Sequence, residues 1–183
     1  MKIIAGVDEV GRGSLVGPVY AAAVILNKSI NKKKLKDSKS ISKKKREELF
    51  ELIKKKSIWA IGKASVKEIE KLNILYASLL AMKRAITKLN MKPNLVLIDG
   101  NKLPNLKNYN LKYVIKGDKK ISAISAASII AKVTRDKFIT KLSKNFKKYG
   151  WEVNFGYGTK LHLKDLKKYG VTKHHRKKFK PIH

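Results

Sequence analysis

Four acids in this chain stand where acids can do chemistry together. Asp8 and Glu9 are adjacent and directly follow the apolar start Ile3-Ile4-Ala5-Gly6-Val7, before a glycine-flanked arginine, Arg12. Asp99 closes the run Asn94-Leu95-Val96-Leu97-Ile98, and Asp118 sits in Lys116-Gly117-Asp118, ahead of a long helical pattern. Unpaired carboxylates gathered at one place repel and raise one another's pKa. A bound hard cation relieves that repulsion, and all-oxygen ligation suits Mg²⁺ or Mn²⁺. Two such ions roughly 3.5–4 Å apart can activate a water and stabilise the leaving oxygen of a phosphodiester. The plainer alternative makes each acid a helix cap or a partner for one of many lysines, and spacing alone leaves both open.

For the four acids to meet, the elements that carry them must be neighbours. Residues 2–8 read as a buried strand with the acids at its end, and 16–26 as a second strand entered through Gly17-Pro18. Further strands are expected at 58–64, 94–100 and 111–116, with a lysine-rich loop over 27–39. Apolar spacing predicts helices over 42–56, with Ser42 as N-cap, over 67–89, over 121–147 and near 161–169. The stretch Ile121 to Ala131 is small and apolar enough to pack closely on a sheet. This alternation makes an α/β domain with a mixed sheet. Strand ends in such sheets commonly line the ligand crevice. The division expected is a catalytic domain over 1–150, with a helical, basic segment over 151–183 packed on it.

With 183 residues and 43% hydrophobic content, the chain can build a core. It has no cysteine, so disulfides and thiolate metal sites are excluded. No apolar run approaches a membrane span, and Asp8, Glu9 and Arg12 break the N-terminus too early for a signal peptide. A cytoplasmic protein is expected, and a monomer. The formal charge of +31, from 44 Lys and Arg against 13 Asp and Glu, attracts polyanions, nucleic acid first. Only five of those cations are arginine, so part of the lysine excess is also readable as compositional bias.

The residues now on the page resemble a known family. The run GVDEVGRGSLVGPVYAAAVIL is similar to the N-terminal signature of the type 2 ribonucleases H. Leu35-Lys36-Asp37-Ser38-Lys39, NILYASLLAMKRAI at 73–86, LIDG at 97–100, KGDKKISAISAASIIAKVTRD at 116–136, GYGTK at 156–160 and HHRKKFKP at 174–181 follow in the family's order. The resemblance implies a ribonuclease H-like fold: a mixed central sheet flanked by helices, with a small C-terminal helical segment. It implies cleavage of the RNA strand of RNA–DNA hybrids, and incision 5′ of single ribonucleotides embedded in duplex DNA, with Mn²⁺ or Mg²⁺ as cofactor. The family's four catalytic, metal-binding carboxylates fall on Asp8, Glu9, Asp99 and Asp118. Its nucleic-acid contacts fall on Gly11, Arg12 and Gly13, which meet the ribonucleotide 2′-hydroxyl, on Tyr157, which stacks on the deoxyribose beyond the junction, and on Lys39, a phosphate contact.

Other candidates take plainer roles. Asp136 reads as an ion-pair partner of Arg135 rather than as the fourth ligand. His162, His174, His175 and His183 read as exposed tail histidines, although His162 is close enough in sequence to Tyr157 to be weighed as a group facing the phosphate. Trp59 reads as core, and Trp151 stays open. The chain departs from the family pattern at Asn154-Phe155 and at Lys178, away from the acids. Three rivals remain: the type 3 sister enzyme, for whose extra N-terminal domain the seven residues before Asp8 leave no room, a passive basic binder, and a DNA strand-transfer enzyme.

Overall fold

The computed structural model describes residues 2–35 and 41–182. Strands β1 (Ile4–Val10), β2 (Val19–Ile25), β3 (Ile58–Ala64), β4 (Leu95–Asp99) and β5 (Leu111–Val114) form one sheet in the order β3-β2-β1-β4-β5. β2 runs antiparallel to both β1 and β3, while β1, β4 and β5 are parallel. The sheet is therefore mixed, as the alternation of elements predicts. Asp8 and Glu9 lie within β1 rather than beyond its end.

Helices α1 (Lys43–Lys56), α2 (Val66–Thr87), α3 (Gly117–Lys120), α4 (Ser122–Ser143), α5 (Trp151–Asn154) and α6 (Lys160–Tyr169) complete the chain. The side chains of β2 alternate between two cores: Ala21 and Ala23 pack with α2, Ala22 and Val24 with α1 and α4. Each fully buried Ile of α4, such as Ile129 or Ile130, contributes about 1.5–3 kcal/mol by leaving water. The small residues have a steric reason. A methyl on Gly6 of β1 would lie 2.1 Å from the Ala123 backbone, and one on Gly62 of β3 would lie 2.0 Å from the Ala81 carbonyl. Both helices can sit this low on the sheet only because those positions lack a side chain.

The cap expected at Ser42 forms, a second that was not expected forms at Ser65, and one helix differs from its reading. Ser42 accepts the Lys45 N–H at the start of α1, and Ser65 with Glu68 closes a capping box on α2. The single helix expected over 67–89 is interrupted at Asn73, which adopts φ 64°, ψ 170°. Its side-chain oxygen accepts the N–H groups of Leu75 (2.9 Å) and Tyr76 (3.2 Å), so the asparagine restarts the helix it breaks. Apolar periodicity runs through such a break and hides it.

The segment from Tyr149 to Ile182 folds back on the loop that follows β1. Tyr149 and Trp151 share a core with Leu15, Val16 and Ile139. Leu15 donates to the Gly156 carbonyl (2.8 Å), Gly17 to the His174 carbonyl (2.9 Å), and Arg176 donates its N–H to Leu15 (2.8 Å). Here the reading of exposed tail histidines is corrected: His162 and His175 are 0% and 1% exposed. A run of lysines around them suggests a solvated tail, but strand-like bridges at Ser14–Tyr157 and Val16–His175 draw this segment inward.

Candidate active site

Adjacent residues of a strand face opposite sides, so Asp8 and Glu9 diverge. Asp8 turns toward α4, where the Ser128 hydroxyl bonds its carboxylate. Glu9 lines a cleft on the α2 side with Ser78, Leu79 and Asp99. The parallel register pairs Val7 with Ile98, so one step further sets Asp99 beside Asp8. Asp99 Oδ1 accepts the Gly117 N–H (2.7 Å), which ties the end of β4 to the turn that carries Asp118. Asp118 is itself buried, and the Ser125 hydroxyl holds that turn by donating to the Asp118 carbonyl (2.8 Å), with the Leu35 carbonyl as a second partner.

Burial pushes the Asp8 carboxyl well above the ordinary carboxylate range, and the negative charges of Glu9 and Asp99 push the same way. Its hydrogen bonds from Ser128 and from the Glu9 N–H (2.8 Å) oppose this without cancelling it. Glu9 is raised by burial first and by Asp99, against the pull of Arg12, whose Nη1 donates to Glu9 Oε1 at 3.1 Å. Three carboxylates thus share one electrostatic neighbourhood.

Among the described residues, no three acidic or histidine side chains close on a single point, because Glu9 is drawn to Arg12 and Asp99 to Gly117. The donor set nevertheless fits a hard divalent cation. It offers only oxygens, and Asp8 and Asp99 on adjacent strands repel each other in a buried place. Magnesium characteristically takes one or two carboxylates and completes its shell with water and substrate phosphate.

The glycine-flanked arginine forms the loop after β1. Gly11 has φ +88°, and a side chain there would meet Arg135 Nε at 2.3 Å. Gly13 has open space around it. Across a cleft of about 220 Å³ that Asp8 and Glu9 also line stands Tyr157, with Lys132 Nζ 5.5 Å and the Arg135 guanidinium carbon 5.3 Å from its ring centroid. Lys39 lies outside the described residues.

Sequence reasoning passed over Ser128, Lys132 and Arg135, whose spacing carries a usable signal. With Ser125 they fall at steps of three, four and three residues, a polar stripe along one face of α4. Asp136 pairs chiefly with Lys132 (3.1 Å), with Arg135 at 4.0 Å. Trp59 packs at the edge of a core, and Trp151 is fully buried. Asn154 closes the turn before Tyr157 by donating to the Tyr149 carbonyl (2.7 Å) and accepting from Gly156 N–H (2.8 Å). Lys178 reaches the Glu70 carbonyl at 3.0 Å.

The two buried histidines complete one chain of hydrogen bonds. The Thr172 N–H donates to His175 Nδ1 (2.9 Å), which leaves the proton on Nε2. His175 Nε2 faces His162 Nε2 at 3.4 Å, and Trp151 Nε1–H donates to the same acceptor at 3.1 Å. His162 Nδ1 is therefore the donor to the Tyr157 carbonyl, 2.8 Å away. The histidines do not line the carboxylate cleft; they hold the backbone of a residue that does.

Known proteins match this architecture over nearly its whole length. The family model described as ribonuclease HII covers residues 5–182. A protein named ribonuclease HII from Pelagibacter ubique is 76% identical over 182 residues, spanning 100% of this chain and 98% of that protein. The crystal structure of ribonuclease H2 from Pyrococcus horikoshii superposes with a TM-score of 0.80 at 27% identity, covering 98% of this chain and 94% of that one. The ribonuclease HII of Archaeoglobus fulgidus, solved in a complex with PCNA, gives 0.75 at 26%, covering 97% and 95%. With its mixed five-stranded sheet and its acids at the strand ends, this chain belongs to the ribonuclease HII family and is a nuclease.

Proposed function

We propose that this nuclease hydrolyses the RNA strand of RNA–DNA hybrids and incises 5′ of single ribonucleotides embedded in duplex DNA, leaving 3′-hydroxyl and 5′-phosphate ends. The observation that carries the reading is the meeting of Asp8, Glu9 and Asp99 at one end of the sheet in a chain of formal charge +31. The positive field brings the polyanion, and the acids supply a place where a cation would relieve their repulsion. Residues 1–150 would carry the chemistry, with 151–183 docked on them, acting as a monomer in the cytoplasm.

Asp8 and Asp99 would hold a Mg²⁺ or Mn²⁺ ion, with Glu9 and Asp118 completing the set, and the ion would neutralise phosphoryl charge and acidify the attacking water. The protein's own part is to bind and orient. Gly13, with open space where a side chain would stand, lets the backbone lie against a ribose 2′-hydroxyl, the group that separates RNA from DNA. Arg12, half exposed, can leave Glu9 for a phosphate. Tyr157 presents its ring to the next sugar from the far wall of the cleft. Lys39 is proposed as a phosphate contact.

The test is a labelled DNA duplex with one embedded ribonucleotide, beside an all-DNA control, with and without Mg²⁺ or Mn²⁺. Metal-dependent incision on the 5′ side, absent from the control and from Asp99→Asn, is the expected result. Cutting of the all-DNA duplex, or binding without cutting in either metal, would overturn the reading.

A further inference from the structure

Two of the five arginines are fully buried beneath the loop that follows β1, and among the described residues no acid comes closer to either than Asp136, 4.0 Å from Arg135. Arg135 Nη2 donates to the Ser14 hydroxyl (2.6 Å) and the Val16 carbonyl (3.2 Å), while Nη1 donates to the Phe155 carbonyl (3.1 Å). The same guanidinium lies under the Tyr157 ring and against Gly11, where it leaves no room for a side chain. Arg176 grips the ends of the loop, donating to the Arg12 carbonyl and the Gly17 carbonyl at 2.9 Å each. Arg135 touches both walls of the cleft, the Gly11–Val16 loop on one side and the Phe155–Tyr157 turn on the other, and braces the direct bonds by which Leu15 N–H and the Ser14 hydroxyl reach the Gly156 carbonyl.

The energetics argue against a role in stability alone. Burial and the neighbouring charge of Arg135 lower the Arg176 pKa to about 9, and burial lowers that of Arg135. Arg135 Nε and Arg176 Nη2 are buried without a hydrogen-bond partner. Two desolvated like charges with donors left over are a poor way to stabilise a core, and apolar side chains of similar volume are commonly neutral or better at such places. What an apolar side chain cannot do is fix two separate backbone segments in one rigid fork.

We infer that Arg135 is a positioning residue for ribonucleotide recognition: its fork sets the distance between the Gly11–Gly13 loop and Tyr157, so that both engage neighbouring sugars of one strand at once. The inference rests on the functional reading above. A single embedded ribonucleotide offers one register, in which the 2′-hydroxyl must meet the loop while the next sugar meets Tyr157. A misplacement of about 1 Å can cost about 100-fold in rate. A uniform RNA–DNA hybrid offers a 2′-hydroxyl at every position of its RNA strand and tolerates the same displacement.

The experiment compares kcat/KM on a duplex with one ribonucleotide against kcat/KM on a uniform RNA–DNA hybrid, for wild type, Arg135→Met and Arg135→Lys. The expected result is a fall of tenfold or more in the ratio of the two, with Arg135→Met melting within about 3 °C of wild type. Arg135→Lys should show the same fall, because a single ammonium cannot span both segments. A ratio that changes less than tenfold, whether both activities survive or both fall together, overturns the inference and leaves Arg135 structural. If Arg135→Met does not fold, the ratio for Arg135→Lys decides by the same threshold. A wild-type protein that ignores the embedded ribonucleotide overturns the functional reading, and this inference with it.

Discussion

Asp8 holds its charge at a cost that the proposed metal would relieve. Its carboxyl is buried with Glu9 and Asp99 for neighbours, so the charged form is disfavoured by its surroundings. Asp8→Asn is therefore expected to raise Tm in metal-free buffer while lowering metal-dependent cleavage by about 10³-fold or more. Adding Mg²⁺ should raise Tm for the wild type and not for the variant. Calorimetry with and without Mg²⁺, beside a cleavage assay, checks all three. The two loop glycines separate in the same way. Gly13→Ala meets nothing within 4 Å and should melt within about 1 °C of wild type, so any loss of cleavage reports contact with the strand. Gly11→Ala must place a methyl at φ +88° and 2.3 Å from Arg135 Nε, and should destabilise by about 1–3 kcal/mol in denaturant titration.

At the scale of elements, the segment from Tyr149 to Ile182 is the part that acid should loosen first. Burial, then the charges of His162 and His174, lower the His175 pKa to about 4, and burial lowers that of His162 as well. The unfolded chain, with histidines near 6.5, takes up protons before the folded one as pH falls. The stability from this network is thus whole above about pH 6.5 and is lost progressively down to about pH 4. Tryptophan fluorescence in a Trp59→Phe background follows Trp151, which donates to His162, and should shift to the red across that window. His175→Gln should flatten the response. A shift that begins only below pH 4 would contradict the proposed network.

At the scale of the molecule, the charge is organised as well as large. A groove of about 490 Å³ between α1 and α4, with Lys43, Lys137, Lys141 and Lys144 along it, joins the carboxylate cleft at Arg46, which lines both. Each phosphate contact makes binding steeper in salt, by about 0.9 in the slope of log affinity against log salt for duplex DNA. Replacing Lys43, Lys141 and Lys144 with Gln should reduce that slope by about 2–3 and leave kcat at saturating substrate within twofold. An unchanged slope would mean that these lysines are only solvated surface. No helix among the described residues is long and apolar enough to cross a membrane.

The sequence by itself determined the elements and the cast of acids. Strands and helices impose periods of two and 3.6 on apolar residues, so the mixed sheet, the long helix over the small apolar stretch and the cap at Ser42 could be read directly. Asp8, Glu9, Asp99 and Asp118 stood out as candidates because acids are scarce in this chain and these four fall at or near the ends of apolar runs. Only the tertiary structure decided which face each acid takes, since the strand that makes Asp8 and Glu9 neighbours also turns them apart. The break at Asn73 was invisible because a single side chain caps it without disturbing the pattern. The buried arginines and histidines were hidden by composition: in a lysine-rich chain every cation reads as surface. Burial depends on backbone carbonyls brought from distant segments, such as Arg12 to Arg176 and Phe155 to Arg135, and such long-range pairings leave no period in the sequence.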